Sequence, residues 1–241
     1  MLVLFTDFGE GGPYVGQIKA VLAREAPGTD VIDLLHDAPV FDAKRSAYLL
    51  AALVDPFPSG SVFLCVVDPG VGGDRAAVVV EADGRRFVGP DNGLLDPLLR
   101  RADRPAAWSI SWRPAALSSS FHGRDLFAPV SAMIARGEDV PGVPTDVDTL
   151  GRPEWPDELD EIVYIDRYGN AMTGRRANTI PASAAVEAGG ERIMRATTFS
   201  DVPPGTPFWY ENSAGLVEIA VNMGRAADRL GLEIGTPIAT T

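Results

Sequence analysis

One stretch constrains the fold of this chain most: the apolar run Ser61 to Val67, stopped by Asp68 and followed by Pro69-Gly70-Val71-Gly72-Gly73-Asp74-Arg75. The run is short, β-branched and entered through Pro58-Ser59-Gly60, which predicts a buried strand. Loops at strand ends of α/β sheets are exposed yet anchored, and ligands bind there. Glycines let such a loop take positive φ or approach a ligand closely. Asp68 and Arg75 stand at the two lips of the loop. They either face each other across a small polar site or form a surface ion pair on a plain connection.

The rest of the chain alternates strands and helices at first. Met1 to Phe5 reads as a strand ending at Thr6-Asp7. Pro13 then opens a helix whose apolar residues recur at helical spacing up to Pro27-Gly28. Val31 to Leu35 is a second strand, ending at His36-Asp37. Asp42 caps a helix from Ala43 to Val54. Val78-Val79-Val80 and Phe87-Val88 form a pair joined at Asp83-Gly84. Short helices are expected over Leu94 to Leu99 and Leu126 to Ile134. Between Val140 and Asp160, Pro141, Pro144, Pro153 and Pro156 sit among acids and glycines without periodicity, which reads as a linker. Short strands follow: Ile162 to Ile165, Ala171 to Thr173, Glu191 to Ala196, Pro207 to Tyr210, Leu216 to Val221 and Pro237 to Ala239. These suggest a small β-barrel or sandwich, with one helix over Gly224 to Leu230.

Several function classes are disfavoured. A net charge of −12, spread along the 241 residues, repels phosphate backbones and anionic membrane surfaces, so no nucleic acid or membrane partner is expected. No apolar run approaches the ~20 residues of a membrane span. Met1-Leu2-Val3-Leu4-Phe5 runs into Asp7 without a charged leader or cleavage site, so the expected location is cytoplasmic. The single cysteine, Cys65, falls inside a predicted buried strand and reads as a small hydrophobe. Two histidines without zinc-type spacing predict no metal site. The phosphate-loop, dinucleotide and serine-elbow motifs are absent.

Polar groups cluster where apolar runs end: Thr6-Asp7, His36-Asp37, Asp68, Asp91-Asn92 and Phe121-His122-Gly123. In a twisted sheet, some of these ends share an edge. Asp7 or Asp91 then suits a ribose diol, or each is a cap or turn residue. In the second half, Asp166-Arg167-Tyr168-Gly169-Asn170 and Asn212-Ser213-Ala214-Gly215 each separate two strands. An Asp and Asn pair answers both ends of a free amino acid, or the two stretches are plain β-turns.

Six motifs fall in order along nearly the whole chain: Thr6-Asp7-Phe8-Gly9, Tyr14-Val15-Gly16, Val67-Asp68-Pro69-Gly70-Val71-Gly72 with Arg75, Gly89-Pro90-Asp91-Asn92-Gly93-Leu94, Phe121-His122-Gly123-Arg124-Asp125, and Asp166 with Gly169-Asn170. Together they resemble the S-adenosyl-L-methionine (SAM) hydroxide adenosyltransferases, the adenosine-forming SAM hydrolases, which are relatives of the fluorinase and chlorinase. The resemblance implies an N-terminal α/β domain, residues 1–145, with a central, largely parallel sheet. A linker, 146–158, and a smaller C-terminal β-barrel domain, 159–241, follow. It also implies a homotrimer, with SAM between one subunit's first domain and its neighbour's second. SAM is the substrate, and no cofactor is implied.

By the same resemblance, Asp68, Arg75 and His122 form the catalytic set that holds a water for attack on the ribose 5′ carbon. Asp7 and Asn92 are substrate contacts, Asp7 to the ribose hydroxyls. Asp166, Asn170 and Ser213 hold the methionine end. Phe41 either stacks on the ribose or adenine region or belongs to the core. The halogenating relatives carry tyrosine in the central loop, where Asp68 would repel a halide. The chain departs from the pattern at Gly11-Gly12, where many members have an acid, and at Ala214, where the fluorinase has arginine. A SAM or adenosine sensor without turnover and a halide-dependent adenosyltransferase are the competing readings.

Overall fold

The computed structural model describes residues 1–241, which divide into two compact units. The first comprises Met1–Ala47 and Pro56–Glu154, the second Tyr48–Asp55 and Trp155–Thr241.

The first unit is a seven-stranded sheet with helices. Its strands are β1 (Leu2–Thr6), β2 (Val31–Leu35), β3 (Val62–Val66), β4 (Ala77–Ala82), β5 (Arg85–Pro90), β6 (Ala106–Ile110) and β7 (Gly142–Thr145). The helices are α1 (Pro13–Glu25), α2 (Ala43–Leu53, crossing the unit boundary), α3 (Asp96–Arg101) and α4 (Ala128–Ala135). In space the strands run β2-β1-β3-β5-β4-β6-β7. Leu2 and Leu4 of β1 and Val62, Leu64 and Val66 of β3 bury one face of the sheet against Ile18, Leu22 and Val130 of α1 and α4. On alternate positions Phe63 of β3 stacks on Phe87 of β5, with centroids 4.8 Å apart.

The expected largely parallel sheet is instead mixed. β1 pairs in parallel with β2 and β3, and β3 with β5, while β4 is antiparallel to β5 and β6, and β6 to β7. The reason lies in the Asp83-Gly84 turn. A two-residue loop with φ of 49° and 74° joins only antiparallel strands. β6 and β7 are additional to the strands expected from sequence. β7 carries Pro144 inside the stretch read as linker; it is an edge strand paired only to β6, where a missing N–H costs nothing.

The connection through α1 leads from β1 to β2 on one side, whereas β3 lies on the other side of β1. The chain therefore reverses its winding at β1. The carboxyl ends of β1 and β3, in register at Thr6 and Val66, form the switch point at which open α/β sheets bind ligands.

The second unit holds two antiparallel sheets. One runs β12-β13-β9-β8: β8 is Leu159–Ile165, β9 Ala171–Arg176, β12 Pro207–Glu211 and β13 Leu216–Val221. The other runs β11-β10-β14: β10 is Val186–Ala188, β11 Glu191–Ile193 and β14 Ala239–Thr240. β10 is additional to the expected strands. Isolated bridges pair Arg195 with Trp209 and Glu161 with Pro237. Trp209 is fully buried and its indole N–H donates to the Ala184 carbonyl at 3.0 Å. Helix α5 (Ala226–Leu230) packs Ala226 and Leu230 into the same core.

Candidate active site

The switch point of the first unit opens into a cavity of about 320 Å³, whose lining includes Asp7, Phe8, Phe41, Asp68, Phe121 and His122. Asp7 follows β1 and Asp68 follows β3, so two adjacent strands deliver two acids to one edge. The loop after Asp68 folds back tightly. Gly72, at φ 79°, lies where a Cβ would come within 2.4 Å of the Ser119 carbonyl, so only glycine lets it approach the segment leading to His122. His122 in turn precedes a single π-helical turn, Gly123–Phe127, at the start of α4. Such turns are rare and recur at functional sites.

Arg75 ties these pieces together. Its Nε donates to Asp68 Oδ1 at 2.9 Å and its Nη2 to Oδ2, a two-pronged grip on a carboxylate only 4 % exposed. The same Nη2 reaches His122 Nδ1 at 3.0 Å, and the guanidinium lies over the Phe127 ring, 5.3 Å from its centroid. Guanidinium has no acceptor, so Nδ1 carries the lone pair and the imidazole proton sits on Nε2. Partial burial first, then the Arg75 charge, hold His122 below the ordinary imidazole range.

Burial pushes Asp7 above the ordinary carboxylate range; the Phe41 N–H, donating to Oδ2 at 3.1 Å, opposes this, and the Asp68 charge adds to it. Phe41 itself is 75 % exposed and has φ 60°, a left-handed conformation rare for an aromatic residue. Phe8, Tyr14 and Phe121 form a triangle of rings with centroids 5.2–5.9 Å apart on another part of the wall.

The second unit has its own, larger cavity of about 930 Å³, lined by residues that include Asp166, Asn170, Tyr210, Asn212, Ser213 and Glu218. Asp166 accepts the backbone N–H of Asn170 at 2.9 Å and its side-chain amide at 3.2 Å. Asn212 holds the β12–β13 turn: its Oδ1 accepts from the N–H of Ala214 and of Leu216, at 2.9 and 3.0 Å.

Two family models cover most of the chain. One described as the SAM hydroxide adenosyltransferase N-terminal domain matches residues 2–143, and its C-terminal counterpart matches 160–239. This chain belongs to the SAM hydroxide adenosyltransferase family. A relative from Thermus thermophilus named (R)-S-adenosyl-L-methionine hydrolase is 44 % identical, over 97 % of this chain and 96 % of its own length. A protein of the same name from Salinispora arenicola is 39 % identical over 98 % of this chain and 95 % of its own. Among solved structures, an uncharacterized conserved protein from Thermotoga maritima superposes with a TM-score of 0.87 at 31 % identity, covering 100 % of this chain and 99 % of that one.

Within this member of the family, Asp7, Phe41, Asp68 and His122 line one cavity, and Arg75 stands behind Asp68. Asp166, Asn170 and Ser213 line the other. Asn92 lines neither: its amide donates to the Val67 carbonyl at 2.8 Å and its Oδ1 accepts the Leu94 N–H at 3.2 Å, so it braces the strand end that carries Asp68. Asp91, the other candidate for a ribose, accepts from Arg152 at 3.1 Å instead. Sequence reasoning did not single out Glu218 or Tyr210, and it named Thr6 and His36 only as ends of apolar runs, without the brace behind Asp7 in which Thr6 Oγ1 meets His36 Nδ1 at 2.8 Å and His36 Nε2 meets Asp33 at 3.0 Å. One signal was available: Glu218 is the lone acid in the apolar run Leu216 to Val221.

Proposed function

We propose that this chain hydrolyses S-adenosyl-L-methionine to adenosine and L-methionine, by in-line attack of water on the ribose 5′ carbon. The observation that carries the reading is the Arg75 bridge between Asp68 and His122, on the rim of a cavity that also presents Asp7. Relatives matched over nearly the full chain carry the hydrolase name, which supports the same chemistry.

Sulfonium makes methionine a neutral leaving group, so positioning the water supplies most of the catalysis. Asp68 has accepted two hydrogen bonds and keeps lone pairs for a third, from water. His122 donates from Nε2–H to the water oxygen. The O–C5′ bond forms as the C5′–S bond breaks, and the bonding pair returns to sulfur. The water proton passes to Asp68, because Nδ1 of His122 is engaged by Arg75 and Nε2 already carries hydrogen. Asp7 accepts from the ribose hydroxyls, Phe41 packs on the nucleoside, and Asn92 acts indirectly by bracing Val67.

Asp166, Asn170 and Ser213 hold the methionine end. On this reading residues 1–145 act as the nucleoside and chemistry domain and 159–241 as the methionine domain. The latter is one barrel, whose two sheets join through the bridges at Arg195–Trp209 and Glu161–Pro237. The protein works in the cytoplasm as a homotrimer, without a cofactor. No helix is long and apolar enough to cross a membrane.

The test is incubation with SAM in halide-free, heavy-oxygen water. Adenosine bearing the label at its 5′ oxygen, with methionine released, is the expected product. SAM binding without product would favour a sensor, and product that requires added halide would favour a halogenating adenosyltransferase.

A further inference from the structure

Residues 36 to 41 clasp the turn that carries Asp7. The His36 carbonyl accepts the Gly9 N–H at 2.7 Å, the Ala38 N–H donates to the Thr6 carbonyl at 3.2 Å, and the Phe41 N–H donates to the Asp7 carboxylate at 3.1 Å. His36 also acts through its ring, whose Nδ1 meets the Thr6 hydroxyl at 2.8 Å. One residue thus grips both ends of the stretch Thr6 to Gly9, by imidazole at one end and by carbonyl at the other. Between those ends stand Asp7 and Phe8, which both line the cavity of the first unit.

The imidazole is fixed in turn. Its Nε2 meets Asp33 Oδ1 at 3.0 Å, and Asp33 Oδ2 accepts from Nζ of Lys19, on α1, at 2.6 Å. Burial pushes the Asp33 carboxyl up, but Lys19 and His36 outweigh it and hold the group below the ordinary carboxylate range, so it stays an ionised acceptor. Residues three apart on a regular strand point to opposite faces. Here the β1–β2 register slips, Leu4 facing Asp33 and Phe5 facing Leu35, and the extra residue on β2 brings Asp33 and His36 to one side. Bulges recur beside active sites, where they re-aim a side chain. Carboxylate, imidazole and hydroxyl are connected as in a nucleophile relay. Thr6 is nevertheless 1 % exposed and absent from the cavity wall, so this chain of contacts ends on a brace and not on an attacking group.

We propose that His36 is a positioning residue for Asp7: locked by Asp33, its ring and carbonyl set the turn that aims the Asp7 carboxylate at the ribose hydroxyls. The proposal rests on the hydrolase reading and on the role given there to Asp7. His36 is not part of the cavity wall, so its effect on the substrate passes through Asp7. A hydrogen-bonding group left to shift by about 1 Å loses much of its worth to a bound substrate.

The experiment compares SAM with its 2′,3′-dideoxyribose analogue on the full chain, by release of the nucleoside. The unmodified protein should favour SAM by at least about tenfold in kcat/KM, because the analogue leaves Asp7 without its partners. His36→Ala should raise KM for SAM about tenfold with kcat within about threefold, and should leave the analogue nearly unchanged, so that the gap closes about tenfold. His36→Asn, which offers an amide oxygen where Nδ1 accepts from Thr6, should recover most of the gap. A residue that only packs would lose equally on both substrates, or on neither, and either result with SAM still turned over overturns the proposal alone. Should His36→Ala fail to fold, Asp33→Ala, on the half-exposed outer side of the relay, decides: the gap should narrow about threefold, and an unchanged gap overturns the proposal. No adenosine from SAM with the unmodified protein overturns the hydrolase reading, and the role of His36 with it.

Discussion

Arg75 donates from one terminal nitrogen to Nδ1 of His122 at 3.0 Å, and this contact leaves Nε2 as the ring nitrogen that carries hydrogen. The ring is neutral, with its proton on Nε2, and acts as a donor. Under the proposed hydrolysis, proton acceptance falls to Asp68, which Arg75 holds in one orientation with two hydrogen bonds. Asp68→Asn is therefore expected to lower kcat by about 10²- to 10⁴-fold, with KM for SAM within a few-fold. Steady-state kinetics on the variant check this; a kcat within tenfold of the unmodified protein would exclude Asp68 as the acceptor.

The same contact sets the sign of the pH dependence. His122 is held below its ordinary value of 6.5, first by burial and then by Arg75, so its neutral form persists below that pH. The acid limb of kcat should fall below pH 6.5, where protonation places two cations together. Stability follows the same direction. The unfolded chain binds the proton first, so this contribution is intact above pH 6.5 and is lost as pH falls through the folded-state pKa. His122→Gln should flatten both slopes; an acid limb unchanged in that variant assigns it to another group.

Behind Asp7, the Thr6 hydroxyl meets His36, and His36 meets Asp33. Thr6 is 1 % exposed; since the Asp33 carboxylate accepts from His36 Nε2–H, Nδ1 of a neutral ring is the acceptor and the Thr6 hydroxyl donates to it. Thr6→Val keeps the shape and strands that nitrogen. Urea denaturation should show a loss of about 1–3 kcal/mol. A loss near zero would mean that water replaces the hydroxyl.

The legible parts of this fold were the local ones. The acids that end β1 and β3 and the glycines after Asp68 announce themselves within a few residues. The Arg75–His122 contact joins positions 47 apart, and nothing in local pattern predicts it; the resemblance grouped Asp68, Arg75 and His122 without implying that Arg75 touches the histidine. The mixed sheet depended on where β4 inserts, between β5 and β6, which the Asp83-Gly84 turn limits but does not determine. Pro144 hid β7, because proline argues against a strand unless the strand lies at an edge. Glu218 was visible as a charge in an apolar run, but its meaning needed Tyr210, Asn212 and the cavity wall in three dimensions.

Glu218 also has a signature in stability. Burial raises its pKa above 4.5, with Tyr210 and Asn212 opposing and Asp166 adding, so the folded chain holds this proton at a pH where the unfolded chain has released it. The contribution is complete below pH 4.5 and is lost as pH rises through the folded-state value. Melting temperature should decline less steeply across that window in Glu218→Gln. Equal slopes in the two proteins would show that the carboxyl is ionised throughout.

Phe41 combines strain with exposure. Its φ of 60° costs an aromatic residue about 1–2 kcal/mol, and its ring, 75 % exposed, gains little from burial. The conformation directs the Phe41 N–H onto Asp7 at 3.1 Å while presenting the ring beside the same cavity. Phe41→Asn keeps the backbone bond, since asparagine tolerates this conformation, and removes the ring. Chemical stability should hold or rise by about 1 kcal/mol, while KM for SAM rises about tenfold and kcat changes little. A folding residue would show the reverse, a loss of stability at unchanged KM, and that outcome would remove Phe41 from the substrate site.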